Sequence, residues 1–251
     1  MSDPIEPSPV ELSLVIPAFN EQEVVPELLR RIEPAMRLTG KSFEVLIIDD
    51  GSTDDTPRLL AEAMKTRPWL RVVRMARNCG QSAAFDAGFK AAKGQIIATI
   101  DADLQNDPEE ISRLLPMLDG NDMITGWRKQ RQDSAFRLFQ TRMANRIRNW
   151  ISRETINDSA SSLKVYRRHC LEGIHLFTGA HRFMPTLVKM RGYKVLETPV
   201  KHSPRFAGTA KYGFRNRAWR GLVDLLGVRW MKERYLHYSA SEVEESKSPD
   251  K

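Results

Sequence analysis

Short, uninterrupted apolar runs alternate with longer stretches of helical periodicity over the first half of the chain. The apolar runs predict strands over 12–17, 43–49, 70–76, 95–101 and 122–126. The stretches between them predict helices over 21–37, 54–66, 81–92 and 108–118. Strands that are apolar throughout are typical of a sheet covered on both faces. The alternation therefore predicts an α/β fold, with a mostly parallel, doubly wound sheet and helices on both of its faces.

The second half of the chain has a different pattern. It predicts strands over 162–166 and 193–201, one or two helices over 167–187, and basic amphipathic helices over 133–153 and 213–236. An amphipathic helix that carries many arginines can lie in a membrane interface, and it can equally pack on a protein core. The pattern leaves both alternatives open. No apolar stretch approaches the roughly 20 residues that a membrane-spanning helix needs, so none is predicted.

Charge is distributed unevenly between the two halves. The formal net charge is +7, but residues 126–236 hold 24 Lys and Arg against 7 Asp and Glu. A basic half of this kind favours an anionic partner, such as a lipid phosphate, phospholipid headgroups or nucleic acid. The two cysteines, Cys79 and Cys170, do not form a disulfide framework, and residues 1–10 contain no apolar signal region. Both features favour a reducing, cytoplasmic location.

Two acidic pairs directly follow two of the predicted strands. Asp49 and Asp50 end the second strand, and Asp101 and Asp103 end the fourth. Parallel strands end at one edge of a sheet, and ligands bind there in folds of this kind. Oxygen ligands without thiols favour Mg²⁺ or Mn²⁺ over Zn²⁺. The pattern therefore predicts a divalent-cation site that clamps a diphosphate, with Gln105 as a further oxygen ligand.

Several segments together resemble the inverting glycosyltransferases of family 2, which have the GT-A fold. The segments are IPAFNE at 16–21, IDDGSTD at 48–54, NCGQSAA at 78–84 and DADLQNDP at 101–108. The segments GWR at 126–128 and HSPRFAGTAKY at 202–212 narrow the resemblance to dolichol-phosphate mannose synthases and undecaprenyl-phosphate sugar transferases. The resemblance runs from about residue 12 to residue 212 and implies a GT-A catalytic domain over 11–212. Within it, a nucleotide-binding half would cover 11–126 and an acceptor half 127–212.

The resemblance and the strand-end pattern together assign candidate roles. The candidates for nucleotide binding are Pro17, Ala18, Asn20, Glu21, Asp49, Asp50, Asp101 and Ala102. The candidate metal ligands are Asp101, Asp103 and Gln105. The candidate catalytic residues are Asp103, Arg128, Arg205 and Lys211, with Arg128 and Arg137 expected at the acceptor phosphate.

The function that follows is transfer of a hexose from a nucleotide sugar to a polyprenyl phosphate, assisted by Mg²⁺ or Mn²⁺. Mannose from GDP-mannose is the leading donor, and UDP-linked glucose, N-acetylglucosamine or a uronic acid are alternatives. A family 2 enzyme with a polysaccharide acceptor is a second hypothesis, against which the scarcity of acids after Gly126 counts. A nucleic-acid-binding module is the non-enzymatic hypothesis, but strand-end carboxylates would repel phosphates unless a metal intervened.

The chain is therefore expected to act as a peripheral enzyme on the cytoplasmic face of a membrane. Its expected partners are the donor, the lipid acceptor, the membrane surface and an integral membrane protein, and nucleic acid is not expected. Outside the catalytic domain, the sequence predicts a flexible N-terminus over 1–10, a basic helical segment over 213–238 and a disordered tail over 239–251.

Overall fold

The computed structural model describes residues 9–128, 158, 161–201, 203, 214–236 and 238, and it describes the side chains of the last helix from residue 221 onward. Several predictions lie outside these residues. They concern the helix over 133–153, the tail over 239–251, and the side chains of Arg137, Arg205 and Lys211. All of these stay predictions, as do the domain boundaries.

One mixed sheet forms the centre of the described structure. Its strands are β1 (Leu12–Ala18), β2 (Phe43–Asp49), β3 (Leu70–Arg74), β4 (Ile96–Thr99), β5 (Met123–Arg128), β6 (Lys164–Arg167) and β7 (Val195–Val200). They lie in the order β3-β2-β1-β4-β6-β5-β7. Only β6 pairs antiparallel with its neighbours, β4 and β5, so the predicted mostly parallel sheet is confirmed. Because β6 runs the other way, it begins at the edge where β4 and β5 end.

Helices cover both faces of this sheet. They are α1 (Val25–Leu38), α2 (Thr56–Met64), α3 (Gln81–Ala91), α4 (Glu110–Leu114), α5 (Met184–Met190) and α6 (Phe214–Glu233). The side chains of α1, α2 and α4 pack into one apolar cluster with the sheet. Those of α3, α5 and α6 pack into a second cluster on the opposite face. The central strands β1, β2 and β4 are therefore buried on both sides, which is why they are mainly apolar.

Two predicted helices differ from the observed ones for local reasons. The helix predicted from 21 begins at Val25, with a proline in its first turn, because proline is well suited to that position. The helix predicted over 108–118 becomes a single α-helical turn followed by the 3₁₀ helix Leu115–Leu118. Pro116 has no N–H to donate and so ends the α-helical pattern there.

The prediction of one or two helices over 167–187 is wrong for most of that range. Two short 3₁₀ turns, Arg168–Cys170 and Ala180–Arg182, stand there, and α5 begins only at Met184. Gly173 and Gly179 both adopt positive φ between these turns. That conformation interrupts a right-handed helix. Among the described helices, none is long and apolar enough to cross a bilayer.

Candidate active site

The carboxyl ends of β1, β2 and β4 lie side by side at one edge of the sheet. Ala18 pairs with Asp49 across β1 and β2, and Val15 pairs with Thr99 across β1 and β4. The segments that leave these strands carry the predicted site residues. The alanines Ala18 and Ala102 are themselves buried in the core, so their side chains do not face the edge. Only their backbone is placed for the predicted contact with a nucleotide.

The loops after β1 and β2 are joined to each other by hydrogen bonds. The backbone N–H of Asn20 donates to Ser52 Oγ (2.9 Å), and that of Thr53 donates to Asn20 Oδ1 (2.8 Å). The N–H of Glu21 donates to Thr56 Oγ1 (2.8 Å). Asn20 adopts a φ of 53°, which asparagine tolerates better than most residues. These contacts fix the backbone of the predicted nucleotide pocket, and part of the Asn20 side chain serves that purpose.

Asp49 and Asp50 have different surroundings despite being neighbours. Asp49 is fully buried, and its Oδ1 accepts from the N–H of Ser52 (2.9 Å). Its Oδ2 is buried without a hydrogen-bond partner among the described residues, with Arg74 Nε at 3.4 Å. A buried carboxylate oxygen that lacks a hydrogen-bond partner can accept a hydrogen bond from an N–H or hydroxyl group of a ligand. Such a bond is favourable, because leaving a buried acceptor without a donor costs free energy.

Asp50 instead holds the loop that precedes α3. Its two carboxylate oxygens accept from the N–H groups of Cys79 (2.7 Å) and Gly80 (2.8 Å). The turn that leads from Asp49 and Asp50 to α2 depends on Gly51, which has a φ of +70°. A Cβ at this position would lie 2.5 Å from the carbonyl carbon of Arg77. The loop after β2 and the loop before α3 therefore approach each other closely through Asp50 and Gly51.

Asp101 is a half-buried carboxylate at the centre of the site. Its Oδ1 accepts from Gln81 Nε2 (2.6 Å), and its N–H donates to Ser162 Oγ (3.2 Å). Burial, and then the negative charge of Asp103, raise the pKa of Asp101 to about 6. The repulsion between the two charges shows that the two carboxylates lie close together, as their i, i+2 spacing predicts.

A strained residue follows this pair. Leu104 is buried and has a φ of 58°, which costs a residue with a Cβ about 1–2 kcal/mol. The turn allows the N–H of Gln105 to reach Asp103 Oδ1 (3.2 Å). Strain of this kind often occurs at functional sites, where the surrounding contacts hold it in place.

The opposite wall of the site is basic and comes from β5 and β6. Arg128 ends β5, and its guanidinium pairs with Asp158. Lys164 begins β6, where it pairs with Thr99 on one side and Thr125 on the other, and it is 3% exposed. Its Nζ donates to the carbonyl of Ser161. Burial lowers the pKa of Lys164 to about 8, although the charge of Asp101 opposes that shift.

Sequence reasoning did not identify Asp158 or Lys164 as site residues. Lys164 is the first residue of β6, and the antiparallel insertion of β6 between β4 and β5 brings it to the edge. Asp158 precedes β6 in the chain and lies at the site through its ion pair with Arg128. A signal for each was available. Lys164 is a charged residue inside an apolar strand, and Asp158 is one of only 7 acids in the basic half.

The oxygen chemistry of the site fits a hard divalent cation. Asp101 and Asp103 repel each other, and a cation bound between them would relieve the burial cost that raises the pKa of Asp101.

A second cluster, Asp122, His169 and Cys170, also has its ligand atoms close together. There, His169 Nε2 and the N–H of Lys194 already occupy the two carboxylate oxygens of Asp122 (2.9 and 2.8 Å). Burial also raises the pKa of Cys170 to about 12, so the second cluster is explained without a metal.

The chain that leaves β7 passes the acidic loop. The N–H of Ser203 donates to the carbonyl oxygen of Gln105 (2.9 Å). Arg205 and Lys211 follow two and eight residues later in the sequence. The hydrogen bond places Ser203 beside the loop that carries Gln105, and the roles of Arg205 and Lys211, which lie outside the described residues, stay predictions.

Comparison with known proteins agrees with this geometry. The family model described as "Glycosyl transferase family 2" matches residues 13–174. Two undecaprenyl-phosphate 4-deoxy-4-formamido-L-arabinose transferases from Klebsiella pneumoniae strains are each 40% identical over 206 residues. The aligned region is 81% of this chain and 63% of each relative. The chain thus spans less than two thirds of the length of these relatives.

Solved structures show the same fold at lower identity. A mannosyltransferase from Pyrobaculum calidifontis, solved with GDP-Man and Mn²⁺, has a TM-score of 0.63 and 18% identity over 92% of this chain and 66% of its own. Glucosyl-3-phosphoglycerate synthase from Mycobacterium tuberculosis, solved with Mn²⁺, UDP and phosphoglyceric acid, has a TM-score of 0.66 and 18% identity over 92% and 80%. Motif series, fold and family match agree, and the chain belongs to glycosyltransferase family 2.

Proposed function

We propose that this chain transfers a hexose from a nucleotide sugar to a polyprenyl phosphate, dolichyl or undecaprenyl, with inversion at the anomeric carbon. The observation that carries the proposal is the facing arrangement of Asp101 and Asp103 with Arg128 at one sheet edge in a family 2 fold. Arg128 is close enough to interact electrostatically with both carboxylates. The 40% identical relatives carry undecaprenyl phosphate in their names, and that also supports a lipid phosphate as the acceptor.

The acidic side of the site would bind the donor. Asp49 would accept a hydrogen bond from the base or ribose through its buried Oδ2, beside the backbone of 17–21. Asp101, Asp103 and Gln105 would hold Mg²⁺ or Mn²⁺. A cation of this type supplies charge stabilisation for a departing nucleoside diphosphate.

The basic side of the site would bind the acceptor. A phosphate monoester is already anionic near neutral pH, so its oxygen can attack the anomeric carbon without a protein base. The bond from that carbon to the diphosphate oxygen breaks, and the nucleoside diphosphate leaves with the electron pair. Arg128 and Arg137 would position the lipid phosphate, and Arg205 and Lys211 would stabilise the diphosphate. Two phosphate groups repel each other, and the basic half of the chain offsets that repulsion.

The donor sugar is the finer part of the proposal. Mannose from GDP-mannose remains the leading candidate. The relatives' name makes a nucleotide-linked 4-deoxy-4-formamido-L-arabinose a direct competitor, and because arabinose is a pentose the donor panel must extend beyond hexoses. UDP-linked glucose, N-acetylglucosamine and uronic acid complete the set to be tested.

A second candidate function gains support from Asp158. An acceptor with a hydroxyl nucleophile, such as a polysaccharide, requires a general base. Sequence reasoning counted against that acceptor because acids are scarce after Gly126, yet the side chain of Asp158 lies beside Arg128 in the site and is 15% exposed. Its bidentate pairing with Arg128 favours a positioning role over proton abstraction, so the lipid phosphate stays the preferred acceptor.

A polyprenyl acceptor would place the chain at a membrane surface. We propose a peripheral location on the cytoplasmic face, where nucleotide sugars are available and the cysteines stay reduced.

The test is to incubate the purified chain with each donor, Mg²⁺ or Mn²⁺ and a short polyprenyl phosphate, and to analyse the lipid by mass spectrometry. The expected product is one glycosyl unit joined to the lipid phosphate, from one donor of the panel. Sugar found on a soluble or polysaccharide acceptor instead would favour the second candidate. Absence of donor binding by calorimetry would contradict both.

A further inference from the structure

The last helix, α6, carries apolar side chains on two opposite faces, although its sequence pattern predicts a single apolar face. Leu225 and Val228 point inward and are 5% and 1% exposed. They belong to the apolar cluster that also contains α3 and α5. Leu226 and Trp230, one turn apart on the other side, are 52% and 60% exposed. The inner pair packs α6 against the rest of the protein. Packing does not explain why the two large apolar side chains of the outer pair stand on the exposed side of the helix.

The inner contact attaches α6 firmly next to the active site. Gly179 lies so close to the helix that a Cβ on it would be 2.5 Å from Asp224 Oδ2. The N–H of Gly179 donates to Ser82 Oγ (3.1 Å). Ser82 follows Gln81, which donates to Asp101. The orientation of α6 relative to the site is therefore set by direct contacts between described residues.

The outer side chains form a continuous row along the helix. We call the set of Leu222, Val223, Leu226 and Trp230 the outer row. Leu222, Leu226 and Trp230 are spaced by four residues, so they lie above one another on a helix, and Val223 lies beside them at 50% exposure. The chain beyond the helix adds Leu236 and Tyr238, at 77% and 82% exposure. A contiguous exposed apolar patch of this kind is typical of an interaction surface.

The net charge of the α6 segment favours an anionic partner for the outer row. Residues 214–236 contain six Lys and Arg and two acids, and Arg234 stacks over the ring of Trp230 at 5.6 Å. Two copies of a helix with this net positive charge repel each other, whereas an anionic lipid surface attracts it. Tryptophan and tyrosine are also favoured at the headgroup level, where one end of the side chain is apolar and the other is hydrated.

We propose that the outer row of α6 docks on an anionic bilayer surface, with the helix lying in the plane of the interface. The proposal rests on the function proposed above only in that a lipid acceptor requires a membrane. The docking test needs neither donor nor acceptor, so the docking proposal and the proposed function can fail separately. Docking in this orientation holds the sheet edge with Asp101 and Arg128 at a fixed position relative to the membrane.

The test is flotation of the full chain with vesicles, without detergent. Vesicles of phosphatidylglycerol and phosphatidylcholine are compared with vesicles of phosphatidylcholine alone. The wild-type chain is expected to float with the anionic vesicles, less so at high salt. The double variant Leu226→Ser, Trp230→Ser should bind roughly tenfold more weakly or worse. Tryptophan emission should shift to the blue with anionic vesicles, and Trp230→Phe should remove most of that shift.

The matched control is Leu38→Ser, Met64→Ser. These two side chains are also exposed, at 63% and 39%, but they lie on α1 and α2. The control variant should float like the wild type. All of the replaced side chains are exposed, so thermal unfolding should show that each variant is folded. Equal flotation of the α6 variant and the wild type would overturn the proposal. So would a vesicle-independent dimer, seen by sedimentation velocity, that the α6 variant abolishes.

Discussion

The guanidinium of Arg128 holds the carboxylate of Asp158 through two hydrogen bonds, 2.6 Å from Nε to Oδ2 and 3.0 Å from Nη2 to Oδ1. Both side chains are largely buried, at 16% and 15% exposure. A lysine carries the same charge but cannot make this planar, bidentate contact. We expect Arg128→Lys to lower kcat/KM for lipid acceptor by about 100-fold, as the loss of a buried charge-assisted pair costs about 2–3 kcal/mol.

Arg30 provides the control for that substitution. It makes a similar fork with Glu27, at 2.6 and 2.7 Å, on the exposed surface of α1. Arg30→Lys should leave kcat/KM within about twofold, because exposed pairs contribute little. Equal kinetics for Arg128→Lys and the wild type would show that the fork has no part in the reaction.

Asp101 should make the stability of the chain depend on pH. Its pKa in the folded chain is about 6, above the ordinary value of 3.8. The folded state therefore binds more protons than the unfolded state between pH 4 and pH 6, and stability from this group falls as pH rises through that window. Asp101→Asn removes the buried charge, so its free energy of unfolding at pH 7.5 should exceed that of the wild type by about 1–2 kcal/mol, as measured in urea with a chelator present.

The gain should shrink below pH 4, where Asp101 is protonated in both states. Asp86→Asn is the control, because Asp86 pairs with Lys90 on the surface of α3 and should show no comparable gain. A gain for Asp101→Asn that is the same at every pH would contradict the assigned cause. Cation binding by the wild type should also weaken as pH falls below about 6, since protons then compete for Asp101.

We expect substitution of Asp49 to weaken donor binding and substitution of Asp50 mainly to lower the free energy of unfolding. Asp49→Asn keeps an acceptor for Ser52 but replaces Oδ2, which has no hydrogen-bond partner among the described residues and lies 3.4 Å from Arg74 Nε, so KM for the donor should rise by about tenfold or more. Asp50→Asn leaves one of the Cys79 and Gly80 N–H groups without an acceptor. Its free energy of unfolding should fall by about 1–3 kcal/mol, with a smaller effect on KM. Donor titrations and urea unfolding of the two variants measure both quantities, and the reverse pattern would exchange the two roles.

Gly51 and Gly40 form a matched pair for the loop after β2. Both have positive φ, but a Cβ on Gly40 meets nothing within 4 Å, whereas one on Gly51 would collide with the backbone of Arg77 and Asn78. Gly40→Ala should cost about 1 kcal/mol of unfolding free energy from the backbone conformation alone. Gly51→Ala should cost at least about 2 kcal/mol more, because packed backbone must move. Similar losses for both variants in urea unfolding would mean that the loop is looser than the structure indicates.

The acidic side of the site could be predicted from sequence, and the basic side only in part. Asp49, Asp101 and Asp103 directly follow apolar runs, and strand ends at one sheet edge meet by geometry. Lys164 reaches the same edge through an antiparallel pairing with strands more than 35 residues away in the chain, and Asp158 reaches it through a side-chain contact with Arg128. No local pattern encodes such a pairing, since register and direction depend on long-range contacts. The outer row of α6 could not be predicted from the sequence for a similar reason, because only the packing of the helix shows which of its apolar side chains are covered.

We infer that a lipid phosphate attacks the donor at the site of Asp101 and Asp103. The most direct measurement is nucleoside-diphosphate release with the donor that the panel identifies, in the presence of a polyprenyl phosphate or of the corresponding polyprenol, for the wild type and for Asp103→Asn. We expect release with the polyprenyl phosphate only, reduced by about 1,000-fold in the variant. Release of similar rate with the polyprenol, or a variant as active as the wild type, would contradict it.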